Sequence, residues 1–153
     1  MPENEKTVTI EGAQIIYKNF TGRESDFNAE GDRNFSVVLD PEAADKLSED
    51  GWNVKCKLPE EEGQVKFCHL PVAVKYNQYP PNIVMITSKG RTVVDEQLCT
   101  SLDGLEFAVV DIIIRPYHYD FAGNQGIKAY LKTMFVTIDE DPLARKYAVP
   151  ADD

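Results

Sequence analysis

Arg115, Tyr117 and Tyr119 occupy every second position of one segment, and Lys128, Tyr130 and Lys132 do the same a few residues later. Rings and cations interleaved in this way suit holding a ligand. A tyrosine ring offers a flat face on which an unpaired base can stack, worth about 1–3 kcal/mol per base, and the neighbouring cations suit phosphates. The pattern therefore points to a surface for single-stranded nucleic acid. An ordinary half-solvated sheet, where Tyr and Lys stabilise cross-strand pairs, is its plain structural alternative.

The six residues share a surface only if their segments are the arms of one antiparallel hairpin, Phe107 to Ile138. Read with period two, the first arm puts Ala108, Val110, Ile112 and Ile114 on one face. Asp111, Ile113, Arg115, Tyr117 and Tyr119 take the other. The second arm separates Ile127, Ala129 and Leu131 from Lys128, Tyr130 and Lys132. With Asp120 to Gln125 as the loop, Tyr117 faces Lys128, Arg115 faces Tyr130 and Ile113 faces Lys132. Ile114 then meets Leu131 and Val110 meets Phe135. A slip of one residue would spoil both faces at once, so the pattern specifies the register. Phe121 sits in the loop beside Ala-Gly-Asn-Gln-Gly, with little to pack on.

Charge distribution qualifies the net charge of −10. From Glu24 to Glu62 there are twelve acids and four bases, a dense acidic region that is a candidate interaction surface in its own right. From Gly63 to Val94 there are no acids, while Lys66, Lys75, Lys89 and Arg91 contribute four positive charges. Screening over about 8–10 Å in physiological salt lets a local basic face operate on an acidic protein. Lys66, Lys75, Lys89 and Arg91 are thus candidates to track phosphates, and Trp52, Tyr76 and Tyr79 are further candidate ring platforms. A lone Trp after a helix-ending Gly is more commonly a core anchor.

Around the hairpin the chain reads as short strands. Thr7 to Phe20 is a first strand with an irregularity at Gly12, followed by a polar loop over Thr21–Asp32 and a buried-type strand over Asn34–Leu39. Asp40-Pro41-Glu42 opens a helix as cap, first residue and first-turn acid, and Gly51 ends it. Trp52 to Leu58 alternates as a strand, and Val65 to Tyr76 is another, placed at an edge or bulge by Pro71. Asn82 to Thr87 leads to a turn at Ser88–Gly90. Thr92 to Leu102 is ambiguous, with Asp95 as a possible helix cap. The expected fold is mainly β: a five-stranded Greek-key barrel of the oligonucleotide-binding type, with one or two short inserted helices. Residues 1–138 form this barrel and 139–153 an acidic C-terminal tail.

Several functions are disfavoured by what the chain contains. There is no apolar run of the roughly 18 residues a membrane span needs, and no basic-then-apolar leader, so a cytoplasmic protein is the expectation. Cys56, Cys68 and Cys99 are few and odd in number, and three free thiols in a reducing compartment are expected. With His69 and His118 they match no paired-ligand spacing, so no metal or other cofactor is expected. No phosphate loop, nucleophile motif or carboxylate–histidine set is present, so the chain reads as no enzyme.

Four stretches together carry a resemblance: Arg33-Asn-Phe-Ser-Val-Val-Leu-Asp40, Tyr79-Pro-Pro-Asn-Ile-Val-Met-Ile-Thr-Ser88, Ile113-Ile-Arg-Pro-Tyr117 and Gly126-Ile-Lys-Ala-Tyr-Leu-Lys132. The chain, from about Ile10 to Tyr147, resembles small bacteriophage single-stranded-DNA-binding proteins of replication and recombination. The resemblance implies an oligonucleotide-binding barrel that coats DNA with little sequence preference in the bacterial host cell. It also implies recruitment of replication or recombination proteins through the tail. An oligomer is compatible with it. The competing reading is an acidic phage protein that binds another protein, as a DNA mimic or virion assembly component, through the 24–62 region.

Overall fold

The computed structural model describes residues 6–26, 28–57, 61–63, 66–77 and 80–140. Its elements are β1 (Val8–Ile10), β2 (Ile15–Asn19), β3 (Arg33–Leu39), α1 (Pro41–Glu49), β4 (Lys55–Lys57), β5 (Phe67–Val74), β6 (Asn82–Thr87), β7 (Gly90–Val94), α2 (Glu96–Cys99), β8 (Phe107–Phe121) and β9 (Asn124–Ile138). A 3-10 turn over Thr100–Gly104 links α2 to β8.

The strands pair in the order β1-β8-β9-β5-β3-β2. Its two ends, β1 and β2, are halves of one N-terminal strand broken at Gly12, whose φ of 61° suits glycine. At the break the Gly12 amide donates to Asp111 Oδ1 at 2.8 Å and the Ala13 amide to the Val110 carbonyl at 2.7 Å. The Val38 amide then donates to the Gln14 carbonyl at 2.9 Å. The strand thus leaves β8 for β3, and the curved sheet returns on itself. Counted as five strands the order is 1-2-3-5-4-1, with the β5–β9 contact parallel. This is the expected oligonucleotide-binding arrangement. β4 and the β6–β7 hairpin are additions to it, β6 pairing in parallel with the far half of β9.

Local chemistry fixes the inserted elements. The Asp40 carboxylate accepts from the Ala43 amide at 2.7 Å with Pro41 in the first turn of α1, and Asp95 caps α2 through the Leu98 amide at 2.7 Å. Gly51, at φ 100°, stops α1. Pro71 lies in β5 beside the gap where that strand's second edge passes from β4 to β9. There a missing amide proton is tolerated. The core is filled from all sides by Phe20, Phe35, Leu70, Ile112, Leu131 and Met134.

Three expectations are corrected. The hairpin loop is not Asp120–Gln125: those residues pair with each other, and the turn is Ala122–Gly123, with φ values of 53° and 86°. A two-residue turn with both φ positive matches the right-handed twist of its flanking strands. Arg115–Tyr130, Tyr117–Lys128 and Ile114–Leu131 do face each other. Beyond them a bulge at Lys132 shifts the register, so that Ile113 meets Thr133 and Val110 meets Val136. The extra residue keeps Met134, Val136 and Ile138 on the buried side and sends Phe135 outward. Finally, the cysteines are not all free. Cys56 and Cys68 stand opposite each other in the β4–β5 register, with Cα atoms 4.1 Å apart, and form a disulfide. Cys99 alone is free, and it is buried.

Candidate nucleic-acid interface

Strand register places the outward side chains in rows across the barrel wall, because directly paired residues share a side. Tyr117 and Lys128 form one row. Arg115, Tyr130 and Ala73 form the next. The Tyr117 and Tyr130 rings are stacked, with centroids 5.0 Å apart and planes 7° from parallel. The Arg115 guanidinium lies 5.1 Å from the Tyr130 centroid and Lys128 Nζ 5.9 Å from it. Cations within about 6 Å of a ring face are attracted to it, so the charges are held at the edge of a ready platform. Tyr117 is 47% exposed, and Phe121, at the hairpin tip, is 78% exposed.

The same face continues along β5. From Ala73 it runs through Pro71 to His69 and Phe67, and His69 and Phe67 pair with Lys55 and Lys57 of β4. Tyr17 covers this end: its ring meets His69 edge-on at 5.5 Å, and Phe67 lies 5.9 Å from His69 on the other side. Tyr17 reaches that position from the irregular step of β2, with φ of 54°. The imidazole is anchored by Ser36, Nδ1 to Oγ at 3.1 Å. Partial burial, and then the Lys55 charge, hold its pKa below the ordinary histidine value. Tyr119 joins the hairpin to this strip by donating to Asn53 Oδ1 at 3.1 Å. Gly126, directly opposite Tyr119, leaves room for its ring, since a Cβ there would lie 2.5 Å from the hydroxyl.

The remaining predicted residues are placed elsewhere. Trp52 is a core residue, 7% exposed, bridged to Ile127, so it offers no face to a base. Tyr76 is turned inward, its hydroxyl buried beside Cys99. Burial first, then Cys99, pushes its phenol far above the ordinary value. Lys75 is ion-paired with Asp32 at 3.2 Å and Lys66 with Asp45 at 2.8 Å, so part of the acidic region is neutralised within the chain. Lys132 is exposed at the bulge. Lys89 and Arg91 lie on the β6–β7 hairpin, level with Thr137. That is nine residues along β9 from Lys128, roughly 30 Å at the usual strand rise. Tyr79 and most of the 139–153 tail lie outside the described residues. Among the described residues no group of three or more His, Cys, Asp or Glu could hold a metal ion, and no helix is long and apolar enough to cross a membrane.

Tyr17, Lys55, Lys57, Phe67 and His69 are the additions that sequence reading missed. Asn53, Lys55 and Lys57 alternate, as do Phe67, His69, Pro71 and Ala73, which is the signal that could have found four of the five. Nothing in the sequence marks the position of Tyr17.

The loop over Thr21–Asp32, beside this face, is pinned at its start. The Asp103 carboxylate accepts from the Phe20 amide at 2.8 Å, the Thr21 amide at 3.0 Å and the Thr21 hydroxyl at 2.7 Å. Burial works to raise the pKa of Asp103, but these bonds and the charge of Arg23 together hold it below the usual carboxylate value.

Comparison with known proteins bears on the family and the fold. A family model described as "Putative phage ssDNA-binding domain" matches residues 3–153. A single-stranded-DNA-binding protein from bacteriophage Enc34, solved in complex with ssDNA, superimposes with a TM-score of 0.57 at 9% identity. The match covers 89% of this chain and 88% of that one. A second structure of the Enc34 protein gives 0.55 at 11% identity, over 94% and 86% of the two chains. At such identities the likeness is one of fold. No curated protein sequence matches significantly.

Proposed function

The chain belongs to the phage single-stranded-DNA-binding domain family, and from this premise we propose how it holds its ligand. It binds single-stranded DNA with little sequence preference, along the outward face running from Phe121 through Tyr117 and Tyr130 to Tyr17, His69 and Phe67. Bases stack on the rings, while Arg115, Lys128, Lys55 and Lys57 meet the phosphates. The observation that carries this assignment is the Tyr117–Tyr130 stack flanked by two cations on a single sheet face. The protein acts by occupancy and performs no reaction. It works in the host cytoplasm during phage replication and recombination, with residues 1–138 as the DNA-holding barrel and residues 139–153 recruiting partner proteins.

Fluorescence anisotropy of a labelled oligothymidine at several salt concentrations tests this reading. Binding should saturate and weaken with salt, with a log–log slope near −0.7 per phosphate neutralised. Each of Lys128→Ala and Lys55→Ala should flatten the slope by about 0.7. Salt-independent binding, or no binding in low salt, would sink the proposal.

A pH dependence follows from His69. Its lowered pKa leaves it neutral at pH 7 in the free protein. A phosphate beside it would raise that pKa, so DNA binding takes up a proton. Affinity should therefore rise as pH falls from 7 through the His69 range, and a His69→Gln variant should lose that rise. If wild type and variant give the same profile, His69 does not face phosphate.

A further inference from the structure

We propose that β7 is a self-complementary edge through which two copies of this chain pair, antiparallel about Thr92, into one continuous sheet. β7 is hydrogen-bonded to β6 alone, and among the described residues no strand pairs with its other edge. Gly90, Arg91, Thr92 and Val93 are all exposed, Val93 at 72%. Such an edge is a template for another strand unless something covers it.

Ladder geometry selects the register. Thr87 and Gly90 flank the two-residue turn Ser88–Lys89 and so exchange both hydrogen bonds, after which bonded and non-bonded pairs alternate. The amides and carbonyls of Gly90, Thr92 and Val94 are therefore directed at β6, and those of Arg91 and Val93 at the open edge. Centring the pair on Thr92 sets Arg91 against Val93 of the second copy and Val93 against Arg91 of the second copy. All of these edge groups are then satisfied. Charge agrees with this register. It places Lys89, exposed, opposite Asp95 of the second copy, also exposed, and the symmetry repeats the pair. Arg91 is kept from facing its own copy, and the two Val93 side chains become diagonal neighbours, close enough to touch.

The occupant is a second copy because strand and flanking charges complement themselves under a two-fold axis, which closes at two subunits. Stable interfaces bury about 1,600 Å² in total, more than a five-residue strand pair supplies, so the dimer should be weak and concentration-dependent. Paired residues share a side, so both copies would present their aromatic faces to the same side of the joined sheet. The dimer itself does not rest on the DNA-binding reading, and its test uses no DNA except as a check of folding.

Sedimentation velocity over a concentration series should show reversible growth from 17.2 kDa toward twice that mass. In the Thr92→Cys variant the two thiols would sit in a non-hydrogen-bonded pair, with Cα atoms about 4.5 Å apart, within disulfide reach. Mild oxidation should therefore yield a covalent dimer absent from wild type. Val93→Pro removes an edge donor without touching the β6 ladder and should abolish both association and cross-linking while oligothymidine binding persists. Lys89→Glu, a surface change that leaves the fold alone, should weaken association at least several-fold. A monomer at every concentration with no cross-link above wild type overturns the proposal. So does a cross-link that survives in the Thr92→Cys, Val93→Pro double variant, or association unchanged by Lys89→Glu, since either places the contact elsewhere, on another protein surface or on the tail.

Discussion

Replacing Tyr117 and Tyr130 together by alanine should weaken oligothymidine binding on the order of 100-fold, with the fold intact. Each ring removed from a base costs about 1–3 kcal/mol. The two rings already stack on each other at 5.0 Å, so they act as one platform and their losses are not independent. That coupling places the double variant toward the lower half of the summed range. The salt slope should stay at its wild-type value, because no charge is removed, and this separates ring loss from phosphate-contact loss in a single titration series. A loss smaller than threefold with wild-type melting behaviour would show that the bases stack elsewhere.

Phe20→Ala should remove a large part of the fold's stability. Phe20 is fully buried, its ring 5.4 Å from Phe35 and 6.2 Å from Phe107. It stands where β2 ends and the Thr21–Asp32 loop begins. Removing such a side chain costs about 3–5 kcal/mol, a large part of the roughly 5–15 kcal/mol that separates a typical domain from its unfolded state. Urea denaturation should show a midpoint far below wild type with an unchanged slope. A shift worth less than about 1 kcal/mol would mean the site relaxes around the loss. Because the Phe20 amide is also held by Asp103, the variant should loosen the loop beside the DNA face before the whole barrel melts.

The sequence disclosed much of this, through two kinds of regularity. Alternation fixed the Arg115–Tyr130 and Tyr117–Lys128 pairs, since both faces of the hairpin had to agree. Cap chemistry at Asp40 and the stop at Gly51 bounded α1 correctly. One failure occurs where a single residue breaks a period. The bulge at Lys132 leaves no local trace, because its cause is the need of Met134 and Val136 to stay inside a barrel closed by distant strands. Trp52 and Tyr76 have the chemistry of ring platforms, but each packs against residues far along the chain, Ile127 and Cys99. Cys56 and Cys68, twelve residues apart, meet because the β4–β5 pairing sets them opposite each other. The His69 cluster was written in the alternation of two segments, yet only the β4–β5 pairing shows that the alternating faces are one.

The break at Gly12 lets one strand serve two partners that the ribosome delivers at very different times. β2 can zip onto β3 within some twenty residues, Ile15 against Val37. β1 must wait for β8, Val8 against Ile114, most of a chain length later. Contacts so far apart in sequence are slow to form. During synthesis the barrel is therefore a half-built cup whose first strand hangs open until the long hairpin emerges to seal it. The Tyr117–Tyr130 platform is on that hairpin, so the seam that completes the vessel and the surface that holds its cargo are made in the same late step.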